Sequence, residues 1–336
     1  MPSAKAPSAP RGGIDLGGTK IEAIVVDGRN NVLGASRKPT PTTGEPEGVA
    51  KQLVEALGEA AQLAGVEPSR LQGVGVGSPG VVDPVSGAVS GARNLPGWDG
   101  TFELASVLAE RFGTRVAVGN DVQVATDAEY KLGAGKPYKS LLGVFWGTGV
   151  GGGLILAGKP WLGRGGAGEI GHMVVKKNGA KCPCGRRGCM EAYAGRAAME
   201  ARARRQVDKG QKTDLFKLMK ERGRDRLTSA IWARALDHKD KMATKLIDEA
   251  VEALGVGIAS AINLLDVEAV VIGGGLGVRL GQPYAKRIAK EMQPHLFNDR
   301  HPPDVHVAAL GDLGGALGAA LLARSTRRGN GTPNAS

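Results

Sequence analysis

Two stretches of this chain carry the same pattern. Residues 14–26, IDLGGTKIEAIVV, read as a strand, a Gly-rich turn and a returning strand. Residues 142–157, LGVFWGTGVGGGLILA, read the same way. A strand returning on itself is a hairpin, not a strand that feeds a phosphate-binding helix. The first turn accordingly lacks both GxxxxGK[ST] and GxGxxG. A duplicated Gly-turn hairpin implies an α/β protein of two lobes, each offering backbone N–H groups to one end of a polyphosphate chain. Taken alone, either stretch could be a plain Gly-rich hairpin; the repeat is what constrains the fold. The length agrees, because 336 residues exceed what one compact core usually holds.

In the first turn, Gly17, Gly18 and Thr19 expose N–H groups with little side chain in the way. Asp15 ends the strand before them and is placed to hold Mg²⁺ through water, since Mg²⁺ keeps much of its hydration. Helical spacing follows in residues 48–64, and a strand at 71–76 leads into GSPG at 77–80. The loop RNLPG presents Asn94, whose amide can both donate to and accept from a hydroxyl. A helix is predicted over 102–112 and a short strand over 116–118, closed by Gly119, Asn120 and Asp121. That is a strand's C-terminal end, where α/β proteins usually bind ligands. Asp121 could equally cap the helix that follows. Further on, 242–265 is the clearest helix, with Ile247, Val251, Leu254, Ile258 and Ile262 on one face. A strand at 268–272 runs into a Gly turn at 273–277, a last strand is read at 305–310, and a small-residue helix at 314–322 can pack back on the first lobe.

The stretch GEIGHMVVKKNGAKCPCGRRGCME, 168–191, holds all three cysteines. Cys182, Cys184 and Cys189 with His172 make a sufficient ligand set for a tetrahedral zinc. Inert buried thiols or one disulfide are the other readings; the odd count and the absence of secretory features argue against a disulfide framework. Glu169 and Glu191 bracket the knot and are not needed as ligands. The expectation is a structural metal that presents Glu169, His172 and Glu191 to a substrate.

Apolar content of 42% and charged content of 23% are ordinary for a globular protein. No apolar run reaches the roughly 18 residues of a membrane span, and the start lacks a signal-peptide core. A cytoplasmic location with reduced thiols is expected. The formal charge of +11 is scattered rather than gathered in a stripe with aromatics, which are only 4%, so no nucleic-acid surface is expected.

DLGGTK at 15–20, GSPG at 77–80, NLPGW at 94–98, GND at 119–121, GTGVGGG at 147–153, GEIGH at 168–172, CPCGRRGCME at 182–191 and GGG at 273–275 together resemble the ROK sugar kinases, most of all the bacterial glucokinases among them. The resemblance covers about residues 13 to 323. It implies a duplicated ribonuclease-H-like fold of the actin-like ATPase superfamily, two lobes with an interlobe cleft. A disordered arm (1–12) would precede a smaller lobe (13–121, completed by the helix 312–323). A larger lobe (122–311, with the zinc loop 168–191) and a disordered tail (324–336) would follow. It implies ATP with Mg²⁺ on Asp15, phosphates on Gly17, Gly18 and Thr19 with Lys20 in the same turn, phosphate on Thr148 and Gly149 from the other lobe, and the nucleoside near Gly274 and Gly275. Sugar hydroxyls would meet Asn94, Asn120, Asp121, Glu169, His172 and Glu191, with Asp121 as general base. The metal on His172, Cys182, Cys184 and Cys189 would be structural Zn²⁺.

The implied reaction is phosphoryl transfer to the 6-hydroxyl of glucose. Kinases for N-acetylmannosamine, N-acetylglucosamine, mannose or fructose are the alternatives, and polyphosphate could replace ATP as donor. Such a reaction needs positioning and charge neutralisation more than covalent catalysis. An aspartate with a solution pKa of roughly 4 is already ionised and can take the hydroxyl proton. Some relatives of this family are repressors with an N-terminal helix-turn-helix; about a dozen residues precede Gly13, too few for one. Family members are usually dimers or tetramers. VQVATDAEY after Asp121 and AGRAAM after Glu191 depart from the usual pattern and bear on which hexose is taken.

Overall fold

The structure, a computed structural model, describes residues 9–325 except 93, 94, 96 and 99. Asn94 therefore lies outside the described residues. The chain divides into two compact units. The first takes the chain up to Ala128, Gly163–Gly166 and the segment from Asp312. The second takes Glu129–Leu162 and Ala167–Gly311.

The first unit is built on β1 (Arg11–Leu16), β2 (Lys20–Val26), β3 (Val32–Pro39), α1 (Pro46–Leu63) and β4 (Val74–Ser78). A small antiparallel ribbon follows, β5 (Val81–Val82), β6 (Val89–Ser90) and β7 (Thr101–Phe102), then α2 (Leu104–Phe112) and β8 (Val116–Asn120). The main sheet runs in the order β3-β2-β1-β4-β8. The first three strands are antiparallel neighbours; β1, β4 and β8 are parallel. Alternation along β2 sends Ile21, Ala23 and Val25 into a core with α1 and α2, and Ile24 and Val26 into another with the last helix, α10 (Gly314–Ser325). That helix lies very close to the sheet. A Cβ on Gly13 would fall 2.1 Å from the Ala316 carbonyl oxygen, and one on Gly75 1.8 Å from that of Ala319. The small residues of α10 are what make this approach possible.

The second unit contains β9 (Leu141–Trp146), β10 (Val150–Leu156) and β11 (Lys159–Pro160). Beyond the cysteine stretch come α4 (Glu191–Ala194), α5 (Arg196–Asp208), α6 (Leu215–Glu221), α7 (Ser229–Asp237) and α8 (Lys241–Leu265). It closes with β12 (Ala269–Gly273), α9 (Gly274–Met292) and β13 (Asp304–Val307). Its sheet runs β11-β10-β9-β12-β13, again three antiparallel strands followed by two parallel ones. Third, second, first, fourth, fifth is the order in both units, so the repeat seen in the two hairpins extends to whole sheets. Helix α8 buries Ile247, Val251, Leu254, Ile258 and Ile262, the face its periodicity predicts.

Several boundaries differ from the sequence reading. Arg11 and Gly12 belong to β1 rather than to the N-terminal arm. The buried Arg11 guanidinium donates to the Ala320 carbonyl at 2.9 Å and to Asn30 Oδ1 at 2.7 Å, which ties the strand's start to α10. At the other end α10 runs on to Ser325. The units part between Ala128 and Glu129, not after Asp121, because the start of α3 (Asp121–Leu132) packs on α10: a Cβ on Gly318 would lie 2.1 Å from the Val124 carbonyl oxygen. Helix α2 starts at Leu104, two residues late, because Thr101 and Phe102 pair with Ser90 and Val89. The last strand stops at Val307. The N–H groups of Ala309 and Leu310 instead donate to the buried Glu129 carboxylate at 3.0 and 2.9 Å. Residues 273–277 form no free turn: α9 begins at Gly274, where a φ of +77° and a Cβ that would fall 2.6 Å from the Trp146 carbonyl oxygen exclude a side chain.

Candidate functional site

In the first unit, the turn between β1 and β2 is closed by Gly17 N–H donating to the Lys20 carbonyl at 3.0 Å. The Thr40 hydroxyl donates to the Gly17 carbonyl at 2.6 Å, and Gly18 and Thr19 stay exposed. Asp15 sits under the turn, against the first residues of α10: a Cβ on Gly315 would lie 2.5 Å from its carboxylate. Burial pushes the Asp15 carboxyl up to about 6; Lys20 opposes the shift and Glu22 adds to it. A carboxylate short of positive partners suits a cation. Lys20 is drawn to Glu22 at 3.4 Å and Asp312 at 3.8 Å.

At the end of β8 the capping role considered for Asp121 falls to its neighbour. Asn120 is the cap: its Oδ1 accepts from the N–H groups of Val122 and Gln123, both at 3.1 Å. Its Nδ2 donates to the Gly80 carbonyl at 3.3 Å, so this amide holds the strand end to the second Gly/Pro turn. Asp121 is the first residue of α3, and its Oδ1 accepts from Val122 N–H at 2.9 Å.

In the second unit, Gly147 N–H donates to the Gly149 carbonyl at 3.0 Å and closes the turn between β9 and β10. Glu191, at the start of α4, reaches this turn. Its Oε2 accepts from Val150 N–H at 2.9 Å and occupies the space a Cβ on Gly149 would need, 2.3 Å away. Its Oε1 lies 3.9 Å from Cys182 Sγ. One carboxylate thus joins the hairpin to the cysteine loop.

The loop itself brings its four sequence-predicted ligands together. His172 ends a 3-10 turn (Ile170–His172), and its ligand atom and those of Cys182, Cys184 and Cys189 all lie within 4.8 Å of one another. Cys184 and Cys189 sulfurs are 3.8 Å apart, as are Cys182 Sγ and His172 Nδ1. A tetrahedral zinc with bonds of about 2.3 Å to sulfur separates two sulfurs by about 3.8 Å, so the set fits that ion. Isolated bridges Val174–Cys189 and Lys181–Arg187 shape the loop, and Gly185 and Gly188 turn it with φ of +90° and +81°. A Cβ on Gly188 would lie 1.8 Å from the Lys176 carbonyl oxygen. Burial pushes the Cys182 thiol up to about 12. Burial also opposes ionisation of Cys184, but hydrogen bonds from the Arg186 backbone and side chain, with those of Cys182 and Cys189, together outweigh it and bring that thiol down to about 6. His172 Nε2 lies 3.9 Å from Glu169 Oε2, on the side of the ring away from Cys182, and too far for a hydrogen bond in this arrangement.

The hairpin turn also gathers residues that sequence reasoning missed. Arg196 N–H donates to the Gly147 carbonyl at 3.1 Å, and Ala197 N–H to that of Thr148 at 3.0 Å, seating the start of α5 on the turn. The Arg196 guanidinium donates to Thr148 Oγ1 at 2.8 Å. Gly274 and Gly275 open α9 beside it: a Cβ on Gly147 would lie 3.9 Å from Gly275 N, and one on Gly275 3.4 Å from Ser229 Oγ. Arg196 and Ser229 follow no motif; the one hint was a charge inside the otherwise small-residue run AGRAAM.

The duplicated sheets and the solved structures they resemble define an α/β protein of the actin-like ATPase fold in two lobes. The ROK family model matches residues 11–326. A glucokinase of Streptomyces coelicolor is 34% identical over 316 residues, covering 93% of this chain and 96% of its own. An N-acetylgalactosamine kinase of a Shewanella species is 32% identical, covering 92% of this chain and 95% of its own. Among solved structures, a ROK family glucokinase from Streptomyces griseus in complex with glucose and AMPPNP superposes with a TM-score of 0.81 at 32% identity, covering 94% of this chain and 99% of that one. The chain belongs to the ROK family.

Proposed function

We propose that this protein is an ATP-dependent sugar kinase whose preferred acceptor is the 6-hydroxyl of glucose. The observation that carries the reading is the join at Glu191. Its carboxylate accepts from Val150 N–H at the second hairpin and sits on Cys182 of the metal loop, so one side chain fixes a phosphate-type turn and a hydroxyl-binding wall to each other. The family's glucokinases support glucose over other acceptors.

On this reading, Glu169, His172, Glu191, Asn94 and Asn120 orient the sugar, because carboxylates, amides and imidazole N–H groups match its hydroxyls. The 6-oxygen attacks the γ-phosphorus, the bond from that phosphorus to the bridging β–γ oxygen breaks, and ADP departs. The hydroxyl proton passes to the Asp121 carboxylate. Asn120 caps α3, which fixes the backbone from which Asp121 projects. Gly17, Gly18, Thr19 and Lys20 hold phosphate from one hairpin, Thr148 and Gly149 from the other, and Gly274 and Gly275 lie along the nucleoside. Asp15 would hold Mg²⁺ through water, and the ion would neutralise developing phosphate charge. Zinc on His172, Cys182, Cys184 and Cys189 would have no open position, so its contribution is to hold the wall in shape. The protein would work in the cytoplasm as a homodimer or homotetramer, in the glucose-consuming steps of carbohydrate metabolism.

A second reading, a kinase for another hexose such as an N-acetylhexosamine, is favoured by the Shewanella relative and by the departures after Asp121 and Glu191. Coupled assays with Mg-ATP across glucose, mannose, fructose, N-acetylglucosamine, N-acetylmannosamine and N-acetylgalactosamine separate the two. Glucose should give the highest kcat/KM; a higher value for any N-acetylhexosamine selects the second reading.

A further inference from the structure

Among the described residues, Arg196 is a cation without a paired anion. Its guanidinium makes one hydrogen bond, to Thr148 Oγ1 at 2.8 Å, and leaves its other N–H donors without a protein acceptor among the described residues. It forms no ion pair there either. The carboxylate that acts on it, Glu200, is already committed: Oε1 accepts from Arg204 at 2.6 Å and Oε2 from Leu227 N–H at 2.9 Å. The other charge that acts on it is the exposed Arg226, of the same sign. Burial, and after it Arg226, push the Arg196 guanidinium down from its ordinary value. Two like charges beside each other, one of them half-buried, are unfavourable unless an anion joins them. The carbonyls of Gly147 and Thr148 receive the first N–H groups of α5, so the guanidinium is fixed at the turn by backbone as well as by the threonine.

A planar guanidinium with unused donors, a threonine hydroxyl and the turn's amides match the oxygens of a phosphoanhydride chain. We propose that Arg196 is a specificity residue for the phosphoryl donor, gripping the phosphoanhydride at the second hairpin, with Arg226 extending the positive track outward. This rests on the kinase reading above and adds a residue that the motifs do not include. The same chemistry is offered by a nucleoside triphosphate and by inorganic polyphosphate. Arg226 stands just before α7, whose Ser229 adjoins Gly275, so a longer chain of phosphates would follow the track from Arg196 to Arg226.

The test uses the whole purified protein and three variants, Arg196→Ala, Arg196→Lys and Arg226→Ala, each checked for an unchanged melting curve. Calorimetric titrations with Mg·AMPPNP and with tripolyphosphate, without sugar, read donor binding directly. Steady-state kinetics read KM for ATP and for glucose. Loss of a charge-assisted contact should weaken Mg·AMPPNP binding and raise KM for ATP roughly ten- to a hundredfold in Arg196→Ala, with KM for glucose within about twofold. Arg196→Lys should recover part of that loss by keeping the charge. A nucleotide source predicts that Arg226→Ala leaves Mg·AMPPNP binding near wild type and that tripolyphosphate binds weakly; a polyphosphate source predicts tight tripolyphosphate binding that Arg226→Ala reduces. The proposal is overturned if Arg196→Ala and Arg196→Lys bind Mg·AMPPNP and tripolyphosphate as the wild type does, if both KM values rise together, or if the wild type binds neither probe. A wild type that binds a probe through Arg196 yet phosphorylates no hexose would sink the kinase reading and leave the anion site standing.

Discussion

Asp15 and Phe145 hold equivalent places in the two sheets. Each is the last residue but one of the first hairpin strand, and each lies beside a glycine of the next parallel strand, Gly77 for Asp15 and Gly273 for Phe145. The turns that follow are both three residues long, Gly17–Thr19 and Gly147–Gly149. The charges around them differ. The first turn has a half-buried carboxylate beneath it. The second has an aromatic ring there, close enough that a Cβ on Gly273 would lie 2.7 Å from it, and receives a guanidinium from α5. One scaffold used twice supplies turn amides in both places, and side chains decide which ion each half attracts. On the proposed function the first half serves the metal and the accepting hydroxyl, and the second serves the donor's phosphates and carries the metal-braced sugar wall.

The largest effect should come from the first half. Asp121→Asn keeps the shape of the side chain and removes the proton acceptor, so kcat should fall by about 10²- to 10⁴-fold with the melting temperature unchanged. Near-normal turnover would remove Asp121 as the base. In the second half, the brace is the matching test. Cys184→Ala should lose the roughly one zinc per chain that elemental analysis is expected to find in the wild type. It should also lower the melting temperature and raise KM for glucose by about 10- to 100-fold. Pure, fully active protein without zinc would contradict the structural-metal reading.

A pair of glycine substitutions compares the turns directly. In Gly149→Ala the new Cβ would lie 2.3 Å from Glu191 Oε2, so the carboxylate must move; in Gly17→Ala it would lie 3.1 Å from the Lys20 carbonyl, a contact met by a shift of tenths of an ångström. Gly149→Ala should therefore cost about 1–3 kcal/mol in stability and raise KM for sugar, while Gly17→Ala does less on both counts. Equal effects would show that Glu191 is not what joins the two subsites.

The smallest expected effect is a pH trend. Asp15 is held at about 6 against an ordinary 3.8, so the native state keeps its proton longer than the unfolded chain does. The contribution to stability is full below 3.8 and is lost as pH rises through about 6. Denaturant midpoints of Mg²⁺-free protein between pH 5 and 7 should decline more steeply for the wild type than for Asp15→Asn. Parallel curves would mean that Asp15 titrates normally.

Much of this was legible in the chain because its signals are local. The two hairpins, the face of α8 and the His172–Cys189 ligand set are each fixed by spacing within a short segment. What was not legible depends on contacts across long separations. Arg196 meets Thr148 across 48 residues. Ser229 comes to Gly275 only through the packing of α7 and α9. Local chemistry offered Asp121 as the cap and passed over Asn120, although both side chains accept from N–H groups; only the path of β8 into α3 chooses Asn120. The run at 273–277 reads as a turn because glycine is a poor helix former. It starts α9 because Gly273 and Gly274 must lie against Phe145 and Trp146, where no side chain fits.

The central claim is transfer of a phosphoryl group from ATP to the 6-oxygen of glucose. Phosphorus-31 and carbon-13 NMR of a reaction containing the purified protein, Mg-ATP and uniformly labelled glucose follows both substrates at once. The account predicts glucose 6-phosphate and ADP appearing one for one. ADP formed without a sugar phosphate, phosphate carried on another hydroxyl, or no reaction at all would contradict it.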